Sequence, residues 1–326
     1  MEAGMKAAVY YETGSPDVFR YEEVPDPAVT GNSVLVRVEV VSIEGGDTLS
    51  RARGVMSSSP HIVGYQCAGT VAEVGPDVQS FAVGDRVVTT GIDGSHAELR
   101  SVPENFCWKI PEGLSTEEAA CIPVAVGTAH DCVHEFGGVV AGETVLVQAG
   151  ASAVGIAAIQ LAKQAGATVL ATASSAERLE RLKEFGLDHG INYVADDLVA
   201  ETRRLTAGRG ADLVIDTVGG ATLEKSLHSL AYRGRCVSVG DAGRGESTLV
   251  DTSVMRPNNL TLRGYFLGME LFMAPRAHAM IADLFDAAAA GTIKIVVDRR
   301  FPLAEAGAAH AYIESRQAFG RVVLTI

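Results

Sequence analysis

From Thr144 onward the chain alternates short apolar runs with amphipathic ones, and this alternation constrains the fold more than any other feature. TVLVQAG reads as a strand. VGIAAIQLAKQAGA reads as a helix that sets Val154, Ala158, Leu161 and Ala162 on one face and ends at Gly166. TVLATAS with SAERLERLKEFG repeats the pair, as does ADLVIDTVGG with TLEKSLHSLAYRG, before a further strand in RCVSVG. Strand–helix units of roughly 25 to 30 residues wind into a parallel sheet with helices on its faces. The expected class is α/β, with a doubly wound parallel sheet.

The texture ahead of Pro123 is different. VLVRVEVVSI, GTVAEVG and GDRVVTTG are β-branched runs bounded by Gly, Pro or Asp, as short antiparallel strands require. Turn residues recur at Pro25-Asp26-Pro27, Gly75-Pro76 and Gly84-Asp85, so a β-rich first domain, a partly closed barrel or a sandwich, is expected. Beyond about Met269 come one helix-like run, APRAHAMIADLFDAAAAG, and strand-like pieces around VVDRRF and RVVLTI, which are free to rejoin that first domain. With 326 residues and 47% hydrophobic content, the chain has material for two cores.

Charge narrows the partners. A formal net charge of −13 argues against nucleic acid and against an anionic membrane surface. A phosphate-bearing small molecule must then be met by local donors such as a helix N-terminus or a single Arg. The five cysteines (Cys67, Cys107, Cys121, Cys132, Cys236) are scattered, with no C-x-x-C, which reads as buried thiols in a reducing cytoplasm. No secretory signal is read in MEAGMKAAVYYETG. No apolar run reaches the roughly 18 residues of a membrane span, since Asp283 and Asp286 interrupt the best candidate.

The chemistry is expected at QAGASAVG, residues 148–155. It follows a buried strand and opens a helix, the context of a dinucleotide-binding turn. Gly150, Ser152 and Gly155 stand at the three Gly positions of Gly-x-Gly-x-x-Gly, with Ala153 and Val154 beginning the helix. Small side chains there let backbone N–H groups reach a pyrophosphate; the plainer reading is tight strand–helix packing. About 20 residues further on, an NAD site carries an Asp or Glu for the ribose 2′-hydroxyl. This chain reads TASSAERLERL instead, with Ser174 and Ser175 at the strand end and Arg178 a turn later. Hydroxyls and a guanidinium suit a 2′-phosphate, so NADPH is the expected cofactor.

MKAAVYYETGSPDVFRYEEVPDP, GYQCAGTVAEVGPDVQSFAVGDRV, GASAVGIAAIQLAKQAGA, GADLVIDTVGG and FGRVVLTI together carry a likeness over essentially the whole length. The chain resembles the quinone oxidoreductase (zeta-crystallin-like) branch of the medium-chain dehydrogenase/reductase superfamily. The resemblance implies a GroES-like catalytic domain of residues 1–124 and 267–326, and a Rossmann cofactor domain of residues 125–266. It implies a cleft for the nicotinamide and a homodimer through the Rossmann sheet edges, along LTLRGYFLG. It maps 2′-phosphate ligands onto Ser174, Arg178 and Tyr193. Nicotinamide-side contacts map onto Thr128, Val218, Gly240 and the backbone of Phe266 and Leu267, and Arg321 onto a basic position near the cofactor.

In zinc members of that superfamily, the metal ligands fall where this chain has Glu44, Tyr65, Gln66 and Val124. The thiolate and imidazole donors zinc prefers are absent there, so no metal is expected. His130 and His134 in TAHDCVHEFG are four apart on an expected helix, but the order is not H-E-x-x-H, and packed or solvated histidines are expected. Without a metal, hydride transfer to a quinone or to the β-carbon of an enone is the fitting chemistry, because the developing anion is delocalised onto an oxygen that donors stabilise. Relatives commonly have Asn-Pro-x-Asp where this chain has Glu44-Gly45-Gly46-Asp47. Glu44 is either held protonated beside Asp47 as a proton source or turned away in a structural role. Tyr65 is a candidate donor to the substrate oxygen, with core packing as its alternative. The paired glycines imply a mobile loop and a widened cleft. An enoyl-thioester reductase, a zinc alcohol dehydrogenase and a non-enzymatic RNA-binding role are the competing readings.

Overall fold

A computed structural model describes residues 4–243 and 249–326; Met1–Ala3, where the stretch read for a secretory signal begins, lie outside the described residues. The chain divides into two compact units, Met1–Val124 with Leu271–Ile326, and Ala125–Glu270. The return crossing therefore falls between Glu270 and Leu271, not at 266/267. It lies inside the helix Leu267–Met273, where no change of composition marks it.

The first unit contains β1 (Gly4–Val9), β2 (Arg20–Pro25), β3 (Ser33–Ser42), β4 (Gln66–Val74), β5 (Arg86–Thr90), β6 (Leu99–Pro103) and β7 (Cys107–Lys109). Burial alternates in the middle of β3, where Val36 and Val38 are buried and Arg37 and Glu39 exposed, and both ends of the strand are buried on successive residues. β1 and β2 form an antiparallel ribbon, and a seven-stranded sheet runs β14 (Val297–Pro302), β15 (Arg321–Thr325), β3, β4, β5, β7, with β6 also on β3. β4 lines one edge of β3; the other is shared by β6, against residues 33–37, and by β15 (Arg321–Thr325), against residues 40–42. The last strand thus rejoins the first domain, and β14 (Val297–Pro302) lies parallel to it. This pairing brings Arg321 beside Glu44.

The paired glycines do not form a loop. Gly45–Arg53 is a helix whose first turn is capped by Asp47, with Oδ2 accepting from Glu44 N at 2.8 Å. Its inward face is polar: Asp47, Thr48 and Arg51 are buried, and Arg51 donates to Gly14 O and Glu314. With no apolar stripe, a helical period was not visible in the sequence.

The second unit holds β8 (Thr144–Val147), β9 (Thr168–Ala173), β10 (His189–Asn192), β11 (Ala211–Asp216), β12 (Leu230–Ser238) and β13 (Thr261–Gly264). Their order is β10-β9-β8-β11-β12-β13, every pair parallel. The order reverses at β8, so the carboxyl end of β8 is the switch point where such sheets bind ligands. Every residue of β8 is buried, as a strand covered on both faces must be. One sequence expectation fails here. TLEKSLHSLAYRG is not a single helix: the helix Gly220–His228 stops, and β12 starts at Leu230. A left-handed Arg233 and a register shift between Ala211 and Leu213 break the alternation that would have marked the strand.

Candidate active site

The turn after β8 is built from small residues held tightly. Ala149 adopts a left-handed φ of 50°, and Gly150 N donates to Thr172 O on β9 at 2.8 Å. Ser152 caps the helix Ala153–Gln164, its Oγ accepting from Gly155 N at 3.0 Å. The serine at the middle position of the motif therefore satisfies one helix-terminal donor and leaves the first-turn N–H groups of Ala153 and Val154 without intrahelical partners. Ser152, Ala153 and Val154 are half-buried, so the helix start keeps some contact with solvent. A Cβ on Gly155 would lie 2.5 Å from Ala149 O and 2.7 Å from Gly150 Cα. The helix thus meets the turn backbone to backbone, an approach only glycine allows.

β9 ends at Ala173, followed by Ser174 and Ser175, and no carboxylate stands at the strand end. Ser175, not Ser174, caps the next helix, accepting from Arg178 N. Ser174 is left half-buried, beside a half-buried Arg178 in the helix Ala176–Leu182. Tyr193 N donates to Ala173 O at 3.2 Å, which sets this half-exposed tyrosine at the same strand end. Ser174 and Tyr193 thus flank the end of β9, with Arg178 in the helix that follows. Gly240 follows β12, where a Cβ would meet Thr217 O, and Val218 follows β11 with its N–H on Asp216. Thr128 is buried in the helix Gly127–Val133; Leu267 is buried and Phe266 exposed at the start of the helix Leu267–Met273.

In the first unit, Glu44 is 4% exposed and both its oxygens are engaged. Gln66 Nε2 donates to Oε1 at 2.5 Å, and Arg321 Nη2 donates to Oε2, while Arg321 Nη1 donates to Ile43 O at 3.0 Å. Val124 N completes the chain by donating to Gln66 Oε1 at 3.0 Å. Three of the four mapped metal-ligand positions are thus bonded to one another. The cation that Glu44 meets is a guanidinium. Burial raises the Glu44 carboxyl above its usual range, and Arg321 opposes that rise. Arg321, expected near the cofactor, is buried and occupied by this pairing, a role its position in the sequence did not show.

The fourth position, Tyr65, is half-buried, and its ring lies where a Cβ on Gly46 would go: Cε2 at 2.3 Å and the hydroxyl at 2.6 Å. Gly46 is therefore needed for packing beneath Tyr65 and does not mark a hinge. Burial raises the phenol, keeping it protonated, and Ser50 shares a hydrogen bond with it. These residues do not fit zinc: the phenol holds its proton, the amide of Gln66 is committed, and Glu44 is on Arg321. Among the described residues no group of three or more His, Cys, Asp or Glu is placed to hold a metal. The His130 and His134 rings stand 4.8 Å apart, and His130 Nδ1 lies 3.3 Å from Asp131, which also accepts from Tyr265 at 2.9 Å.

Asp47 is fully buried, accepting from Glu44 N and from Tyr65 N at 3.1 Å. Burial, chiefly, pushes its pKa from 3.8 up to about 8. The folded chain then holds a proton here that the unfolded chain has released, so this contribution to stability is full below about pH 4 and lost as pH rises through about 8. The lone tryptophan, Trp108, lies in this unit and reports its unfolding. Its urea midpoint is expected to fall between about pH 7 and pH 9, above the range where histidines titrate, and Asp47→Asn to flatten that fall. An unchanged slope in the variant would contradict the assignment.

Comparison with known proteins shows the family of the chain. Residues 30–112 match the Alcohol dehydrogenase GroES-like domain family, and residues 153–285 the Zinc-binding dehydrogenase family. A 2-haloacrylate reductase of Burkholderia is 34% identical, covering 98% of both chains. A quinone oxidoreductase of Pseudomonas aeruginosa is 33% identical over 95% of this chain and 96% of its own. Among solved structures, Escherichia coli quinone oxidoreductase complexed with NADPH superposes with a TM-score of 0.93 at 27% identity, over 98% of this chain and 100% of that one.

Proposed function

The chain belongs to the quinone oxidoreductase branch of the medium-chain dehydrogenase/reductase superfamily, and from that premise we propose that it is an NADPH-dependent reductase acting on a quinone or an α,β-unsaturated carbonyl without a metal. The observation that supports the cofactor assignment is the carboxylate-free end of β9, followed by Ser174 and bonded by Tyr193 N at Ala173 O, with Arg178 in the next helix. When bound, NADPH supplies the hydride. Gly150, Ser152, Ala153, Val154 and Gly155 would receive its pyrophosphate through backbone N–H groups. Ser174, Arg178 and Tyr193 would hold the 2′-phosphate; Thr128, Val218, Gly240, Phe266 and Leu267 would meet the nicotinamide side.

Of the two readings of Glu44, the structural one is favoured, because both of its oxygens are already bonded. Asp47 serves as a positioning residue that fixes the backbone at Glu44 and Tyr65. Tyr65, protonated and half-buried, is the donor proposed for the substrate oxygen. Five buried free thiols support a reducing compartment, and no described helix is long and apolar enough to cross a membrane. β13 pairs on one side only, among the described residues, and its Thr261, Arg263 and Gly264 are exposed, which supports a dimer through that edge.

Arg178→Ala is the direct test of the cofactor. It is expected to weaken NADPH binding about tenfold or more and to leave NADH binding within about twofold. Comparable wild-type affinities for NADH and NADPH would overturn the assignment. Turnover of NADPH with 9,10-phenanthrenequinone, 1,4-benzoquinone and a series of enones identifies the substrate class.

A further inference from the structure

A buried polar path joins two turns that lie far apart in sequence. Asp216, at the end of β11, accepts from Val218 N and Gly219 N on Oδ1, both at 2.8 Å, and from Ser226 Oγ on Oδ2 at 2.7 Å. Ser226 Oγ in turn accepts from Gln148 Nε2 at 3.0 Å. Gln148 Oε1 accepts from Thr172 Oγ1 at 2.9 Å, and Thr172 Oγ1 accepts from Ala149 N at 3.0 Å. All four side chains are buried.

Each direction in this path follows from the one before. Three donors converge on Asp216, so the Ser226 hydroxyl spends its only proton there and must accept from Gln148. The amide of Gln148 is then oriented with its oxygen toward Thr172, whose hydroxyl proton it takes. The lone pairs left on Thr172 face Ala149 N–H. Ala149 is the residue held at a left-handed φ of 50°, a conformation unfavourable for any residue but glycine, immediately before Gly150. One buried carboxylate therefore stands at the head of a chain that ends on the strained residue of one turn, and it binds the backbone of the other turn directly.

We propose that Asp216, Ser226, Gln148 and Thr172 are positioning residues that hold the 149–150 turn in its cofactor-receiving conformation and tie it to the 218–219 turn. This rests on the assignment of residues 150–155 as the nucleotide site. The relay requires the hydroxyl of Thr172, not its shape, and it is a series path, so that one break is as damaging as two.

The test uses the full chain and NADPH itself, with affinity read by fluorescence titration. Thr172→Val, which keeps the shape, and Ser226→Ala are each expected to weaken NADPH binding about fivefold, the effect of one lost hydrogen bond. Thr172→Ser is expected to bind as the wild type does. The double variant Thr172→Val/Ser226→Ala is expected to lose no more than either single one. In the cofactor-free protein, the Ala149 amide should exchange its hydrogen faster in both single variants. Wild-type affinity in Thr172→Val, or losses that multiply in the double variant, would overturn the relay. A wild-type chain that does not bind NADPH would overturn the nucleotide-site assignment instead. Unchanged Ala149 exchange would then still decide against the relay.

Discussion

Arg321→Met is expected to destabilise the first unit by about 3–5 kcal/mol, the cost of leaving one member of a buried ion pair without its partner. Glu44 has almost no contact with water, and without the guanidinium its carboxylate would lose its one cationic partner and keep neutral donors such as the Gln66 amide. The same substitution removes the bond from Arg321 Nη1 to Ile43 O, which helps fix the chain entering the helix Gly45–Arg53. Replacing both partners, Glu44→Met with Arg321→Met, is expected to recover most of the loss, since an apolar pair of similar volume needs no desolvation of charge. Trp108 fluorescence in urea measures all three chains, the wild type included. If Arg321→Met unfolds at the wild-type midpoint, the pair does not hold this unit together.

Gly155→Ala is the second large effect. The added Cβ would fall 2.5 Å from Ala149 O and 2.7 Å from Gly150 Cα and O, all backbone atoms that cannot rotate aside. The helix must back away from the turn, at the 1–3 kcal/mol typical of overpacking or more, and NADPH affinity is expected to fall about 10- to 100-fold. Ser152→Gly provides the contrast. It restores the glycine usual at that position and removes only the cap on Gly155 N, a change of a few tenths of a kcal/mol, so binding should move less than about twofold. Equal affinity of Gly155→Ala and wild type for NADPH would remove the turn from the cofactor site.

The parallel sheet was legible because a strand covered on both faces must be largely apolar, and β8, β9 and β11 each carry a buried apolar run. The turn was legible because backbone contact demands small residues in a fixed spacing. The helix Gly45–Arg53 was not, since its stability comes from the Asp47 cap and a buried Arg51 paired with Glu314, neither of which leaves a periodic apolar signal. Nor was the pairing of Glu44 with Arg321, whose partners are 277 positions apart and meet only because β15 lies against β3. Thr172 read as an ordinary strand residue and Gln148 only as the start of the turn, because the meaning of a buried hydroxyl or amide depends on its neighbours across the sheet. The small-residue turn is local in sequence and could be read there. The groups that shape the rest of the site are assembled by strand pairing, so the structure was needed to find them.

The most direct measurement is NADPH oxidation by chelator-dialysed protein with 9,10-phenanthrenequinone and an enone series, alongside metal analysis of the same sample. A metal-free, NADPH-dependent reductase will show turnover unchanged by chelation, a preference for NADPH over NADH, and no stoichiometric zinc. Activity that disappears on dialysis against chelator and returns with added zinc would contradict it.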